Sequence, residues 1–342
     1  MRAIVVYGVS AVALVGLGIG SLFIGGGKST NTDPAAVAAK PQPAPVEATA
    51  ALAPPGKMQV MAQAPAVQPP QPTPMPRVAE APCQTPGALG VGRVVEIDTS
   101  GGPGFGFQHF KAYDFLNAGE VVLTFDDGPW PGNTPAVLAA LAAQCTKATF
   151  FSIGKHAVWH PEILKQVAAA GHTVGSHTWS HADLSKKTPD EGKDEIEKGI
   201  SAVRAALGGP IAPFFRFPTL RQTPEMVSYL EGRNIAMFST DVDSFDFKIH
   251  KEDQLITSVM SKLKKQGKGI ILVHDFQHGT AQALPQLLAD LKAGGFKIVH
   301  LRPKSVAETL PQYDAMMSQE IKGGTANAKP TASVVRTVSE GN

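Results

Sequence analysis

From Glu120 onward the chain alternates short apolar, β-branched runs with longer amphipathic stretches. The short runs predict seven strands, at residues 121–125, 148–153, 173–176, 214–217, 235–240, 269–273 and 296–300. The stretches between them predict helices at residues 134–144, 156–170, 189–207, 224–233, 252–265 and 281–292. Strands that are each separated by a helix favour a parallel sheet, either closed into a barrel or open and doubly wound. We assign this domain to residues 120–310.

The segments on either side of this domain differ from it. From about Pro311 the periodicity is lost, which predicts a flexible tail over residues 311–342. Residues 91–119 form an extension that we expect to pack on the barrel. Its glycine-rich stretch from Gly101 to Gly106 lacks the helix start with Lys-Ser/Thr of a phosphate loop, so we interpret it as a tight packed loop.

The N-terminal segment is apolar. No charged residue occurs from Ala3 to Gly27, and as a helix these 25 residues would extend about 37 Å, beyond the ~30 Å hydrocarbon core of a bilayer. A cleaved signal peptide is the alternative, but its apolar region is normally about 7–15 residues. We favour an uncleaved, single-pass anchor over residues 1–28, with the folded domain on the periplasmic or extracytoplasmic side.

Residues 29–90 are dominated by alanine, proline and glutamine and hold 14 of the 28 prolines. Such a segment cannot bury enough apolar surface to offset the entropy lost on ordering, which predicts a disordered linker. If extended at about 3.1 Å per residue, the linker could carry the folded part on the order of 100 Å from the bilayer. That reach suits a cell-envelope polymer.

Composition excludes several classes of function. Lys+Arg number 31 against 29 Asp+Glu, and no dense basic block is present, so we expect no nucleic-acid partner. The two cysteines lie in no CxxC or zinc-finger spacing, so any metal must be held by histidine and carboxylate. In an oxidising compartment Cys83 and Cys145 could pair and fix the start of the folded segment to the first barrel helix; unpaired thiols are the alternative.

Five polar clusters stand at or just past the C-terminal ends of predicted strands. In a parallel α/β barrel these ends open on one face, where loops build the site, so the clusters can converge in space. They are residues 124–129 (TFDDGP), 176–181 (SHTWSH), 216–218 (RFP), 243–247 (DSFDF) and 272–274 (LVH).

The first cluster holds two adjacent carboxylates, Asp126 and Asp127. Adjacent carboxylates repel each other unless a cation or a shared proton separates their roles, so one metal ligand and one base is the simplest division. A plain turn is the alternative, because Asp-Asp-Gly-Pro is also good turn chemistry.

Histidine pairs at a spacing of four occur three times. The pair of His177 and His181 accompanies a strand end, a nearby acidic pair and Ser/Thr neighbours that can fix ring orientation. One helical turn would place both rings on the same side, ready to share a metal. For His156 and His160 we expect a structural or surface role, and for His278 a loop position.

The other clusters supply fixed charges and a proton donor. Arg216 can hold a neighbouring carboxylate ionised, Asp243 can do the same for an imidazolium, and His274 is a natural proton donor. Taken singly, each has an ordinary alternative: a surface salt bridge for Arg216 and Asp243, and a capped loop residue for His274.

The order and identity of the five clusters resemble the polysaccharide deacetylases of carbohydrate esterase family four, which share the nodulation-protein-B homology domain of chitooligosaccharide deacetylases. The resemblance spans about residues 120–301. It implies a distorted (β/α)7 barrel and the metal-dependent removal of N- or O-acetyl groups from a glycan. We expect a monomer that acts on an acetylated glycan and is bound to the membrane by its N-terminal helix.

The resemblance also implies roles for single residues. Asp126 matches the catalytic base of the family. The metal ligands would be Asp127, His177 and His181, and the divalent metal that we predict is Zn²⁺. The metal and Asp126 would together activate a water molecule for attack on the amide.

Further roles follow from the later clusters. Arg216 resembles the arginine that orients the base, and Asp243 the carboxylate that tunes the acid. His274 resembles the acid that protonates the leaving amine, and Leu272 would line the pocket for the acetyl methyl group.

Two positions depart from the family pattern. Thr219 stands where an aromatic residue is usual, but it keeps the backbone N–H that would contribute to the oxyanion hole, so catalysis should survive. Phe247 replaces the usual tryptophan, which keeps an aromatic wall but loses an indole donor, so substrate preference should be affected more than chemistry.

Other hypotheses stay open. Two histidines and a carboxylate also form the facial triad of a non-haem iron oxygenase, but an Asp126 base and a His274 acid have no task there. A membrane-tethered glycan-binding protein that has lost turnover, or an O-acetyl xylan esterase, would use a similar pocket. Peptidoglycan N-acetylglucosamine suits the tether, and chitooligosaccharide suits the family.

Overall fold

The computed structural model of the protein describes residues 73–76, 83–249 and 251–327. The strands of this part are β1 Arg93–Ile97, β2 Gly104–Phe105, β3 Glu120–Asp126, β4 Thr149–Ser152, β5 Thr173–Ser176, β6 Phe214–Phe215, β7 Ala236–Phe238, β8 Val242–Asp243, β9 Gly269–His274 and β10 Lys297–Pro303. Its α-helices are α1 Asn133–Ala143, α2 Gly154–Trp159, α3 Pro161–Ala169, α4 Pro189–Leu207, α5 Pro224–Gly232, α6 Glu252–Gln266, α7 His278–Ala293 and α8 Pro311–Asn327.

The strands pair in parallel into one sheet with helices between them. β3, β4, β5, β6 and β7 lie side by side in chain order, and β8 pairs with β9. β9 then returns to pair with β3 at six residue positions. This α/β arrangement, in which a late strand closes on the first strand of the series, is consistent with a (β/α)7 barrel.

Strand β3 divides its side chains between two apolar cores because successive residues point to opposite faces. Val121, Leu123 and Phe125 lie in a core shared with helix residues. Val122 lies in a second core, whose described members come from strands and loops rather than helices. Asp126 is four residues after Val122, so its side chain points to the same face of β3 as that of Val122. It lies at the C-terminal end of the strand.

The N-terminal extension contributes strands that the sequence did not predict. β1 pairs with β10 over five positions, and β2 pairs with β7. The residues before this extension also contact the folded part. They are residues 73–76 and 83–90, which we had assigned to the disordered linker. Pro74 forms an antiparallel bridge to Ser305, and the backbone N–H of Leu89 donates to the side chain of Gln144 at 3.0 Å.

Cys83 and Cys145 form a disulfide with a Cα–Cα distance of 5.6 Å. The bond joins residues 62 positions apart and ties Cys83 to the turn that follows α1. Of the two possibilities left open by the sequence, the paired form is the one in the structure, and residues 83–90 belong to the folded part rather than to the linker.

One predicted helix and the start of the predicted flexible tail differ from the structure. The helix expected at 156–170 is two helices, because His160 precedes a proline, which disfavours helical backbone at the preceding residue. The tail expected to be flexible from Pro311 begins with α8, which packs on α4. There the hydroxyl of Tyr313 donates to Asp194 at 2.5 Å, and Arg204 pairs with Asp314 at 3.1 Å.

The anchor predicted at residues 1–28 lies outside the described residues. Among the residues that are described, no helix combines the length and apolar character that a membrane span requires.

Candidate active site

Asp126 and Arg216 form a buried ion pair at the end of β3. Nη1 of Arg216 donates to Oδ1 of Asp126 at 2.7 Å and to Oγ1 of Thr124 at 2.8 Å. The guanidinium also donates to the backbone carbonyls of Phe238 and Ser239. Arg216 is 0% exposed and Asp126 2%. Four of the five N–H groups of the guanidinium are bonded in this way, so the arginine is fixed and holds the carboxylate in one orientation with its charge compensated.

Asp127, His177 and His181 form a group whose ligand atoms all lie within 4.8 Å of one another. Oδ1 of Asp127 lies 3.5 Å from Nε2 of His177 and 3.4 Å from Nε2 of His181. This oxygen is buried and has no hydrogen-bond partner in the structure. One orphaned carboxylate oxygen facing two imidazole nitrogens is a donor set that suits divalent zinc, so these residues fit a metal ion.

Both imidazoles are in the state that binds metal. Nδ1 of His177 lies 2.7 Å from the carbonyl oxygen of Arg216. Because a carbonyl can only accept, Nδ1 carries the hydrogen and the lone pair of Nε2 faces Asp127. Burial holds the pKa of His177 well below its usual range and also lowers the pKa of His181. Neutral rings are therefore available as ligands near pH 7.

The two histidines converge through a turn rather than the helical turn that we expected. His177 directly follows β5, and residues 178–180 form a turn. Thr178 and His181 have φ values of 67° and 59°, in the left-handed region, and Oγ1 of Thr178 accepts the backbone N–H of His181 at 3.0 Å. The spacing of four thus places the rings together for a different geometric reason, with centroids 5.0 Å apart.

His274 ends β9 and is bound to Asp246. Nδ1 of His274 donates to Oδ1 of Asp246 at 2.6 Å, and Oδ2 of Asp246 accepts the backbone N–H of His274 at 2.7 Å. Burial disfavours the charged ring, but the hydrogen bond and charge of Asp246, with the charges of Asp127 and Asp126, outweigh it and raise the pKa of His274 to about 9. The imidazole is therefore protonated at neutral pH.

This pairing corrects the assignment of Asp243 as the carboxylate that tunes the acid. Oδ1 of Asp243 accepts the backbone N–H of Phe245 at 2.9 Å, which turns it back on its own loop. Phe245 has a φ of 56°, and the chain reverses there so that Asp246 faces His274. The cluster offered two aspartates three residues apart, and only the loop conformation distinguishes them.

Of the three predicted substrate-contact residues, Leu272 and Phe247 lie beside His274. Leu272 is buried on β9, two residues before His274 and hence on the same face of the strand. Phe247 is 44% exposed, and its ring meets that of His274 edge-on, with centroids 5.9 Å apart. Thr219 is exposed, three residues after Arg216, with a left-handed φ of 55°.

Comparisons with known proteins agree with this site. The sequence pattern of the family described as polysaccharide deacetylase matches residues 116–237. A peptidoglycan-N-acetylglucosamine deacetylase of Bacillus cereus is 32% identical over 204 residues, which cover 58% of this chain and 73% of that protein. A chitooligosaccharide deacetylase of a Bradyrhizobium strain is 31% identical over 199 residues, which cover 54% of this chain and 90% of that protein.

Solved structures show the same relationship. The peptidoglycan deacetylase of Bdellovibrio bacteriovorus is 32% identical, with a TM-score of 0.58 over 68% of this chain and 63% of that one. The chain therefore belongs to the polysaccharide deacetylase family, as the resemblance of its five clusters implied. It is a deacetylase, an enzyme of the hydrolase class.

Proposed function

We propose that the protein is a zinc-dependent hydrolase that removes the acetyl group from N-acetylglucosamine residues of a polysaccharide, either peptidoglycan or chitooligosaccharide. The observation that carries the proposal is that the candidate base Asp126, the metal group and the candidate acid His274 lie next to one another. Oδ2 of Asp126 lies 3.8 Å from Nε2 of His177 in the metal group, and Nε2 of His274 lies 3.9 Å from Oδ2 of Asp127. The names of the relatives support this substrate class.

The metal group and the base divide the task of activating water. Zinc held by Asp127, His177 and His181 would lower the pKa of water from about 15.7 toward about 7 and polarise the acetyl carbonyl. Asp126, fixed by Arg216, takes the proton of the attacking water. Asp126 is thus the base, and its neighbour is a ligand.

The acid and the oxyanion donor complete the reaction. His274 is protonated at neutral pH because of Asp246, so it can give its proton to the departing amine. The backbone N–H of Thr219 would stabilise the negative oxygen of the tetrahedral intermediate, and the loss of one such donor typically costs about 10²-fold or more in rate. Leu272 and Phe247 would contact the acetyl methyl and the sugar.

Acetate release by the full chain tests this proposal. The zinc-loaded protein should release acetate from N-acetylated chitooligosaccharide and from peptidoglycan, and a chelator should abolish the release. Acetylated xylan serves as the comparison substrate. Stoichiometric zinc without acetate from any substrate would instead indicate a glycan-binding protein, and acetate from xylan alone would indicate an esterase.

We further propose that the enzyme acts outside the cytoplasm, anchored by residues 1–28. The Cys83–Cys145 disulfide supports this placement, because structural disulfides form and persist in oxidising compartments. The full-length protein should stay with membranes after a carbonate wash and keep its first residues. A soluble periplasmic form that begins near Ala39 would contradict the anchor.

A further inference from the structure

Asp127 has an unusual backbone conformation where it is joined to Gly128. Asp127 has a φ of 75°, in the left-handed region that L residues rarely adopt. Such a conformation persists only where the surrounding structure holds it. Since Asp127 supplies the orphaned oxygen of the metal group, whatever holds this backbone also aims the ligand.

His156 holds the carbonyl end of this peptide unit. Its Nδ1 lies 2.6 Å from the carbonyl oxygen of Asp127, which can only accept, so Nδ1 donates. His156 lies on α2, and its ring packs edge-on against Trp130 with centroids 5.1 Å apart. His156, for which we expected a structural or surface role, therefore contacts the backbone of the metal group.

Asp275 holds the N–H end of the same unit. Its Oδ1 accepts the backbone N–H of Gly128 at 2.9 Å, and its Oδ2 accepts the hydroxyl of Thr134 at 2.6 Å. Asp275 is 1% exposed, and a Cβ added at Gly128 would collide with its carboxylate. This glycine is therefore required by the close approach of the carboxylate to the backbone.

We propose that His156 and Asp275 are positioning residues that clamp the Asp127–Gly128 peptide from both sides and so direct the Asp127 carboxylate toward His177 and His181. Both polar groups of one peptide unit are bonded by side chains 29 and 147 residues away. Loss of either bond would free this peptide, and with it the strained backbone from which the Asp127 side chain projects. The inference rests on the proposed metal site.

Zinc affinity of the metal-free full chain, measured by competition with a chelator, tests the clamp. His156→Ala and Asp275→Ala should each weaken zinc binding by about 10- to 100-fold, the usual cost of losing a group that orients a ligand. Asp275→Asn should stay within a few-fold of wild type, because its amide oxygen can still accept from Gly128. At saturating zinc, kcat should recover most of the way, since Asp126 and His274 are intact.

His160→Ala is the matched control. His160 also meets Trp130 edge-on, at 6.0 Å, but its Nδ1 faces Glu162 at 3.9 Å. The control should bind zinc like wild type. Without metal, His156→Ala should melt at the same temperature as His160→Ala. On addition of zinc, the melting temperature of His156→Ala should rise less than that of His160→Ala. If Asp275→Ala does not fold, the comparison of the two histidine variants decides.

Two outcomes separate the clamp from the proposed function. Wild-type zinc affinity in His156→Ala would overturn the clamp and leave the metal site standing. A wild-type protein that binds no zinc would overturn the metal site, and the clamp with it.

Discussion

Asp126 and His274 are direct register partners on the adjacent strands β3 and β9. Neighbouring strands lie about 4.8 Å apart, so the hydrogen bonding of the sheet, rather than a flexible loop, sets the spacing of the proposed base and acid. Each then has one buried partner of opposite charge, Arg216 for the base and Asp246 for the acid. This arrangement leads to separate predictions for each residue.

Asp246→Asn should narrow the pH range of activity from the alkaline side. The acid is protonated below the raised pKa of His274, about 9, and is lost as the pH rises through that value. Without the negative charge of Asp246 this pKa falls, so the alkaline limb of the kcat/KM profile should move to lower pH. Asp243→Asn is the control; a shift of equal size there would return the tuning role to Asp243.

The two adjacent aspartates should respond differently to the same substitution. Asp127→Asn replaces an anionic ligand with a weak neutral one and should lose both zinc and activity. Asp126→Asn cannot accept the proton of water, so it should keep nearly stoichiometric zinc while turnover falls by about 10²–10⁴-fold. Metal analysis alongside acetate release measures both. If both variants bound zinc equally and turned over within a few-fold of wild type, the pair would be a turn.

His274→Ala should keep zinc and lose activity in a manner that depends on the leaving group. An amine leaves poorly unless it is protonated, whereas an alcohol leaves more readily. The loss in kcat should therefore be greater for an N-acetyl sugar than for an O-acetyl ester. Equal losses on the two substrates would argue against His274 as the acid.

Arg216→Ala should destabilise the protein as well as inactivate it. Removing one partner of a buried ion pair leaves the charge of Asp126 uncompensated, at a cost of about 3–5 kcal/mol. Urea unfolding measures this loss. Arg221→Ala is the control, because its ion pair with Asp183 is solvent-exposed on the arginine side and should change stability little. An equal loss of stability in Arg216→Ala and Arg221→Ala would contradict the role of Arg216 in compensating the buried charge of Asp126.

Removal of the disulfide should lower stability without changing the site. A bond that closes a loop of this length typically stabilises by about 2–4 kcal/mol, so Cys83→Ser should unfold at lower denaturant concentration. A reductant should have the same effect on wild type and none on the variant. In wild type, both thiols should be labelled only after reduction; labelling without reductant would contradict the pairing.

The sequence predicted best those elements whose local signals agree with their burial. β3 was recognised because a strand buried on both faces is a continuous apolar run. For α4 both bounds were correct, since Thr188 and Glu191 form a capping box at one end and Gly208, with a φ of 67°, closes the other.

Elements stabilised by distant partners were missed. β1 alternates half-buried and exposed positions, which include Arg93 and Glu96, and β10 supplies the hydrogen bonds that make it a strand. α8 has no regular apolar stripe in its sequence and is fixed on α4 through Tyr313 and Asp314. The candidate site has the same property. Asp246 meets His274 because the loop that carries Asp246 changes direction at Phe245, and the pattern of apolar residues does not indicate this change.

The proposed metal ligands and the proposed proton donor come from different halves of the domain at residues 120–310. Asp127, His177 and His181 come from the loops after β3 and β5, whereas Asp246 and His274 lie beyond residue 237, where the family match ends. A substitution confined to the second half can therefore remove the acid without touching a residue of the metal group. A chain changed only there would keep the group that could hold a metal and the segment that matches the family, yet would lack the proposed proton donor. Positions 246 and 274, rather than the metal group, would then separate an active chain from a silent one.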